Sequence, residues 1–237
     1  MSENSNSEII LEEITKKVKH VAIIMDGNRR WAKKNGKQTI EGHKEGVEAL
    51  KKTLTFAYDH NIPFLTIYAF STENWKRTPQ EVDDLMQLFG SFVDSLLSSF
   101  HPETTEKKVQ LVFKMDQLEE LTKEETHLTV NVCLDYSGKW DISQACMNII
   151  QRYREDDREL SYDSIEQQIN ECLSTKGDPD VDLLIRTGGE YRVSNFLLWQ
   201  IAYAEIVIVD ELWPEFDEDI FKRCLMELSH RERRFGK

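Results

Sequence analysis

Short apolar runs recur along the chain at 21–25, 64–70, 109–113, 128–134, 181–185 and 206–209, each rich in β-branched or aromatic residues. Between them, apolar positions return at three- and four-residue spacing over 43–60, 80–100, 117–125, 141–153, 161–173 and 194–203. Strands that alternate with helices predict a mostly parallel sheet covered on both faces. The expected fold is one α/β domain whose central sheet has about six strands flanked by helices. Ahead of the first run, Ile10, Ile14 and Val18 keep helical spacing, which predicts a short helix packed on the body. The expected division is a tail and short helix at 1–19 and a main domain at 20–237.

One helix start is explicit. Thr78-Pro79-Gln80-Glu81 supplies a capping hydroxyl, proline at the first helical position and glutamate at the third. The helix it opens carries Val82, Leu85, Met86, Leu88, Phe89, Phe92, Val93, Leu96, Leu97 and Phe100, which is wider than one apolar stripe. Core burial accounts for that width, and the wall of an apolar cavity is the alternative.

Composition narrows the class. A chain of 237 residues, 40% hydrophobic and 31% charged, is sized for one well-buried domain. Thirty Lys and Arg against 43 Asp and Glu give a formal net charge of −13. That sets aside nucleic acid as a general partner, because its footprint is a basic surface. Cys133, Cys146, Cys172 and Cys224 are scattered with no Cys-x-x-Cys, as expected of reduced thiols. No apolar run nears the roughly 20 residues that span a bilayer, and no apolar signal core opens the chain. A cytoplasmic protein is expected.

The chemistry collects where the runs end. The first stops at Asp26-Gly27-Asn28, followed by Arg29, Arg30 and Trp31. A carboxylate at the carboxyl end of a strand stands where open α/β sheets bind ligands. Gly27 permits a tight turn, and the amides of Asn28 to Arg30 become the free donors of a following helix, which attract phosphate. Neither a Walker loop nor a Gly-x-Gly-x-x-Gly pattern is present here. The second run ends in Ser71-Thr72-Glu73-Asn74-Trp75-Lys76-Arg77. The fifth ends in Arg186-Thr187-Gly188-Gly189-Glu190-Tyr191-Arg192, with Ser194 and Asn195 beyond.

In a parallel sheet these ends share one edge, so Arg30, Arg77, Arg186 and Arg192 converge with one carboxylate. Like charges gathered in this way call for an anion, and forked guanidiniums suit diphosphate oxygens. One group around Asp26 and Arg77 and another at 186–192 suggest two phosphorylated ligands. Thr187-Gly188-Gly189 is expected to add backbone donors. Asp26 suits Mg²⁺, an ion commonly held by one carboxylate plus substrate phosphates; the alternative is a plain helix cap. His43 follows the phosphate loop and suits proton handling or a leaving-group contact, against a structural role. Trp75 in a polar loop suits a ligand or a closing motion, against a simple anchor.

These residues resemble a family. HVAIIMDGNRRWA at 20–32, Gly42-His43, YAFSTENWKR at 68–77, DLLIRTGGEYRVSNFLLWQIAYAE at 182–205, ELWPEF at 211–216 and RERRFG at 231–236 are similar to the cis-prenyltransferases, closest to the bacterial undecaprenyl diphosphate synthases. The resemblance spans nearly the whole chain, in the family's order and spacing. It implies Mg²⁺-dependent condensation of isopentenyl diphosphate with an allylic diphosphate, typically farnesyl diphosphate, to give a Z-polyprenyl diphosphate. It makes Asp26 the metal-binding carboxylate and assigns the allylic diphosphate to Gly27, Asn28, Arg29, Arg30 and Arg77. Arg186, Arg192 and Ser194 would hold isopentenyl diphosphate. His43, Ser71, Asn74 and Trp75, with Trp31, Thr72 and Glu73 beside them, complete the site, and Glu205 matches a glutamate linked to metal binding.

The resemblance further implies a homodimer, with Arg234-Phe235-Gly236 reaching the partner's site. It implies a tunnel for the growing chain, walled by the helix over 80–100, and transient membrane contact as product leaves. Three departures accompany it. Thr39 stands where many relatives carry a phosphate-binding arginine, a contact Lys37 could replace. Asp135-Tyr136-Ser137-Gly138-Lys139 replaces Asn-Tyr-Gly-Gly-Arg, and its carboxylate would repel diphosphate unless paired or turned away. Lys114-Met115-Asp116 replaces Ile-Gly-Asp. A non-catalytic partner subunit, a phosphohydrolase with Asp26 as nucleophile and a protein that only binds isoprenoid phosphates are the rival readings.

Overall fold

The computed structural model describes residues 3–100, 118–124, 126–156 and 161–228. Five parallel strands form its frame: β1 His20–Ile24, β2 Phe64–Ser71, β3 Thr129–Tyr136, β4 Leu183–Arg186 and β5 Glu205–Ile208. Their order across the sheet is β3-β2-β1-β4-β5. The run at 109–113, Lys114-Met115-Asp116 and the RERRFG motif lie outside the described residues.

Every residue of β1 is buried, because helices cover both faces. The alternation along the strand assigns the faces. Val21 and Ile23 join a core with Leu50, Phe56 and Phe221, whereas Ala22 and Ile24 join a second core with Leu184 and Phe196. The first face is covered by α3 (Thr39–Asp59) and the helix Glu218–Leu228. Against that helix packs α1 (Glu3–Thr15), whose Leu11 and Ile14 enter the same core. The expected N-terminal helix is therefore part of the packed body.

The chain runs outward from β1 to β2 and β3, then returns to lay β4 on the other side of β1. Connections leave the sheet in opposite directions at β1 and β4, which opens a crevice at their carboxyl ends. Ile24 and Arg186 are in register there, and Asp26 follows two residues later. Three helices frame the crevice, α2 (Asn28–Lys34), α3 and α4 (Pro79–Phe100). The Thr78-Pro79 start holds, with Val82 N–H donating to Thr78 O at 3.1 Å. No described helix is long and apolar enough to cross a membrane.

One expected helix is absent. Residues 194–203 form a succession of turns, because Ser194, Asn195 and Leu197 take φ of 47°, 62° and 42°, left-handed values that a right-handed helix excludes. The apolar pattern there is still obeyed, since the turns deliver Phe196 and Leu197 into full burial against the sheet.

Candidate active site

Beyond β1 the chain turns through Gly27 at φ 116°, and a Cβ there would meet the Leu212 side chain at 2.9 Å. Glycine satisfies both demands. Gly27 is also the N-cap of α2 and no side chain caps the helix, so Asp26 is not used as a cap. Its carboxylate instead meets two guanidiniums. Arg186 Nη2 donates to Oδ2 at 2.9 Å, and Arg30 Nη2 stands 3.2 Å from Oδ1. Among the described residues, the amides of Asn28, Arg29 and Arg30 have no acceptor, since the first bond of the turn runs from Trp31 N–H to Gly27 O.

α3 presses on this turn at two glycines. A Cβ at Gly42 would lie 2.2 Å from Asn28 O, and one at Gly46 would lie 2.4 Å from Asn28 Oδ1. Asn28 is thus fixed at a helix crossing, with its Oδ1 buried and unpartnered.

Arg186 is 3% exposed and holds the two loops together. Its Nη1 donates to Ser194 Oγ at 2.7 Å and to the Arg192 carbonyl, while its Nε is buried without a partner. The Arg192 guanidinium is exposed and paired with Glu190. Thr187, Gly188 and Gly189 do not offer the free donors expected of them. Their N–H groups go to Ile24 O, Glu211 O and Val209 O at 3.3, 2.8 and 2.9 Å. The glycines serve close approach instead, because a Cβ at Gly188 would sit 2.3 Å from Arg30 Nη2. Arg30 Nη1 donates to the Gly188 carbonyl at 2.7 Å.

After β2, Ser71 and Asn74 cap the short turn Thr72–Lys76 reciprocally, with Ser71 N–H donating to Asn74 Oδ1 at 3.2 Å. Asn195 Nδ2 donates to Glu73 Oε1 at 3.1 Å, and this bond leads the causes that hold the Glu73 carboxyl below its ordinary range. Trp75 is 53% exposed, lies edge-on to Phe70 and donates through Nε1 to Asp135 Oδ1 at 2.6 Å. The Asp135 carboxylate thus accepts from a neutral indole and keeps its charge. Arg77 Nη1 donates to Glu81 Oε1 at 3.1 Å, and the same oxygen is 3.8 Å from Arg29 Nε. Burial, helped by Arg77 and Arg29, pushes His43 down to about 4. Its imidazole is neutral at pH 7, and Nε2 is buried and unpartnered.

These groups share a cleft of about 590 Å³. Asp26, Asn28, His43, Ser71, Glu73, Asn74, Arg77, Arg186 and Ser194 give its polar lining, and Val47, Leu50, Ala69, Leu85, Leu88 and Phe89 its apolar lining. Gly27, Arg29, Arg30, Trp31, Thr72, Trp75 and Arg192 do not line it. Glu205 is not brought to Asp26 within one chain. It pairs with Leu183 at the amino end of β5, three residues before the level of Arg186, or about 10 Å down the sheet. Thr39 lines a side pocket of about 210 Å³ with Glu81 and Asp84. Lys37 Nζ is 3.6 Å from Glu45 and 4.8 Å from the Trp31 ring centroid.

Among the described residues no three His, Cys, Asp or Glu side chains gather around a common point. A metal here would rest on one carboxylate, with its other oxygens drawn from phosphates and water, which fits Mg²⁺. Asn28 Oδ1, His43 Nε2 and Arg186 Nε are buried polar atoms that only a ligand or water would satisfy. Sequence reasoning missed Glu81, the counter-ion of two arginines, and Trp213. The latter donates from its main chain to Asp26 O at 2.9 Å and from Nε1 to Gly46 O at 2.8 Å.

Comparison with known proteins places the chain in a family. Residues 24–236 match the prenyltransferase family described as "Putative undecaprenyl diphosphate synthase". The ditrans,polycis-undecaprenyl-diphosphate synthase ((2E,6E)-farnesyl-diphosphate specific) of Photorhabdus laumondii is 45% identical over 227 residues, 92% of this chain and 89% of that protein. The enzyme of the same name from Escherichia coli K12 is 44% identical over 228 residues, 92% of this chain and 89% of its own. Among solved structures, lavandulyl diphosphate synthase from Lavandula x intermedia, in complex with dimethylallyl diphosphate, superimposes with a TM-score of 0.85 at 32% identity. The match covers 95% of this chain and 100% of that one. A probable undecaprenyl diphosphate synthase from Campylobacter jejuni gives 0.71 at 33% identity, covering 93% and 99%. The chain belongs to the cis-prenyltransferase family, with the undecaprenyl diphosphate synthases as its relatives.

Proposed function

We propose that this chain condenses isopentenyl diphosphate onto farnesyl diphosphate, repeatedly and with Mg²⁺, to build undecaprenyl diphosphate, a lipid carrier precursor for glycan and cell-wall synthesis. The observation that carries the reading is the cleft itself. One lining holds Asp26, Arg77 and Arg186, and the other is apolar, which is the shape and polarity of a prenyl diphosphate.

The allylic diphosphate takes the free amides of Asn28, Arg29 and Arg30 with the guanidiniums of Arg29, Arg30 and Arg77. Isopentenyl diphosphate takes Arg186, Arg192 and Ser194. Asp26 would hold Mg²⁺, which when bound supplies positive charge to the departing diphosphate. As the isopentenyl double bond attacks the allylic C1, the bond from C1 to diphosphate oxygen breaks. A proton is then lost from the isopentenyl unit, leaving a Z double bond. The neutral imidazole of His43 suits either receipt of that proton or a bond to the leaving group. Asn74 and Ser71 fix the loop that brings Arg77 to the cleft, and Trp75 anchors it.

The same reading takes 20–237 as the catalytic domain and the enzyme as a cytoplasmic homodimer. The Arg234-Phe235-Gly236 tail completes the partner's site, and membrane contact is brief, during product release. Release of inorganic diphosphate tests it. Diphosphate appears only when both substrates and Mg²⁺ are present; release from farnesyl diphosphate alone would mark a phosphohydrolase instead.

A further inference from the structure

Thr187 is fully buried directly after Arg186, outside the lining of the cleft. Its hydroxyl oxygen accepts the Asp26 N–H at 2.9 Å and donates to the Asp26 carbonyl at 2.6 Å. A hydroxyl has one proton, so the donation to Asp26 O leaves the 3.5 Å approach to Ile24 O without one. One side-chain atom therefore engages both main-chain polar groups of Asp26. The neighbouring residue on the same strand end engages its carboxylate, through Arg186 Nη2.

We propose that Thr187 is a positioning residue that fixes the direction of the Asp26 carboxylate, and so the metal affinity of the site. The inference rests on the reading of Asp26 as the metal-holding group. Arg186 and Arg30 hold the carboxylate oxygens themselves, and Thr187 holds the main chain from which the carboxylate projects, beside two other main-chain bonds. Asp26 N–H also reaches Ile24 O at 3.0 Å, a contact only two residues back, and Asp26 O also accepts Trp213 N–H at 2.9 Å. Those two bonds keep the main chain satisfied when the hydroxyl is lost, so the fold survives while the turn gains freedom to swing. Groups that orient a metal ligand are worth about 10- to 100-fold in metal affinity. The methyl group of Thr187 is not required by this account, but the oxygen is.

The test compares Thr187→Val, nearly isosteric without the hydroxyl, with Thr187→Ser, which keeps it. Calorimetry measures Mg²⁺-dependent binding of farnesyl thiodiphosphate, an analogue that resists turnover, and thermal unfolding checks that each variant is folded. In Thr187→Val the Mg²⁺ concentration for half-maximal binding rises about tenfold or more. In Thr187→Ser it stays within about threefold of the parent, a rescue that a space-filling role would not give. Equal midpoints in Thr187→Val and the parent overturn the proposal. Should Thr187→Val fail to fold, Thr187→Cys, a weak donor of similar size, replaces it with the same expected rise and the same overturning result. Asp26→Asn run alongside separates the two layers. If Mg²⁺ still promotes binding undiminished in that variant, the metal reading of Asp26 falls; if it does not, an unchanged Thr187→Val defeats the Thr187 inference alone.

Discussion

Asp26 and Arg186 meet at 2.9 Å across the neighbouring strands β1 and β4, with the Arg186 side chain only 4% exposed and that of Asp26 29% exposed. The sheet changes winding direction between these two strands, so the pair marks the crevice between the loops. A guanidinium this deep is stable because Asp26, Ser194 and the Arg192 carbonyl surround it, and its unpartnered Nε leaves one donor over for a ligand.

Arg186→Ala separates the two substrate sites. Loss of hydrogen bonds to a charged ligand costs about 2 kcal/mol, or about 30-fold in affinity. The KM for isopentenyl diphosphate rises by that order, far more than the KM for farnesyl diphosphate, which Arg186 reaches only through Asp26. Steady-state kinetics with each substrate varied in turn checks this, and equal increases contradict the assignment.

Asp26→Ala removes turnover without unfolding the chain. Gly27, not Asp26, caps α2, and the Asp26 main-chain bonds to Thr187 and Trp213 do not need the carboxylate. A fall of at least about a hundredfold in kcat is expected from a lost metal ligand. Circular dichroism reports the intact fold, with an unfolding midpoint lowered because buried Arg186 loses its counter-ion; near-parental kcat would contradict the metal role.

Asp135 acts through Trp75. With the acceptor removed in Asp135→Ala, the turn Thr72–Lys76 keeps its Ser71–Asn74 cap but loses its tie to β3. Amide hydrogen exchange over 72–77 speeds up, and Asp135→Asn, which retains an acceptor oxygen, stays close to the parent. Identical exchange in all three proteins would mean that the bond contributes nothing to loop order.

His43 predicts acid sensitivity. Its folded-state pKa, near 4, lies below the unfolded value of 6.5, so the unfolded chain takes up the proton first. Stability therefore falls as pH drops from about 6.5 to about 4 and levels below that. Urea midpoints across this range decline less in His43→Gln than in the parent. A residual slope remains from buried His20, whose pKa is also lowered, chiefly by desolvation. An unchanged slope in His43→Gln would contradict the buried neutral imidazole.

The strand ends were legible from sequence because a strand buried on both faces leaves a continuous apolar run, and Asp26 and Arg186 stand where two such runs stop. The Thr78-Pro79 start was legible because capping is local chemistry. What sequence could not convey lies in pairing across the fold. Residues 194–203 carry a helix-like apolar spacing, yet left-handed Ser194, Asn195 and Leu197 break it. The amides of Thr187 to Gly189 looked free until the segment after β5 took two of them. Glu81 read as a capping glutamate; its pair with Arg77 is four residues away in sequence, whereas its approach to Arg29 depends on how α2 lies beside α4. The distance of Glu205 from Asp26 follows from strand register, which has no mark in the sequence.

The most direct measurement incubates the purified protein with radiolabelled isopentenyl diphosphate, farnesyl diphosphate and Mg²⁺, with and without chelator, and resolves the products by chain length. A metal-dependent ladder that converges on one long Z-polyprenyl product, centred on undecaprenyl, is the predicted result. A folded protein that incorporates no label, or incorporates it undiminished in chelator, would contradict an enzyme built around Asp26 and its metal.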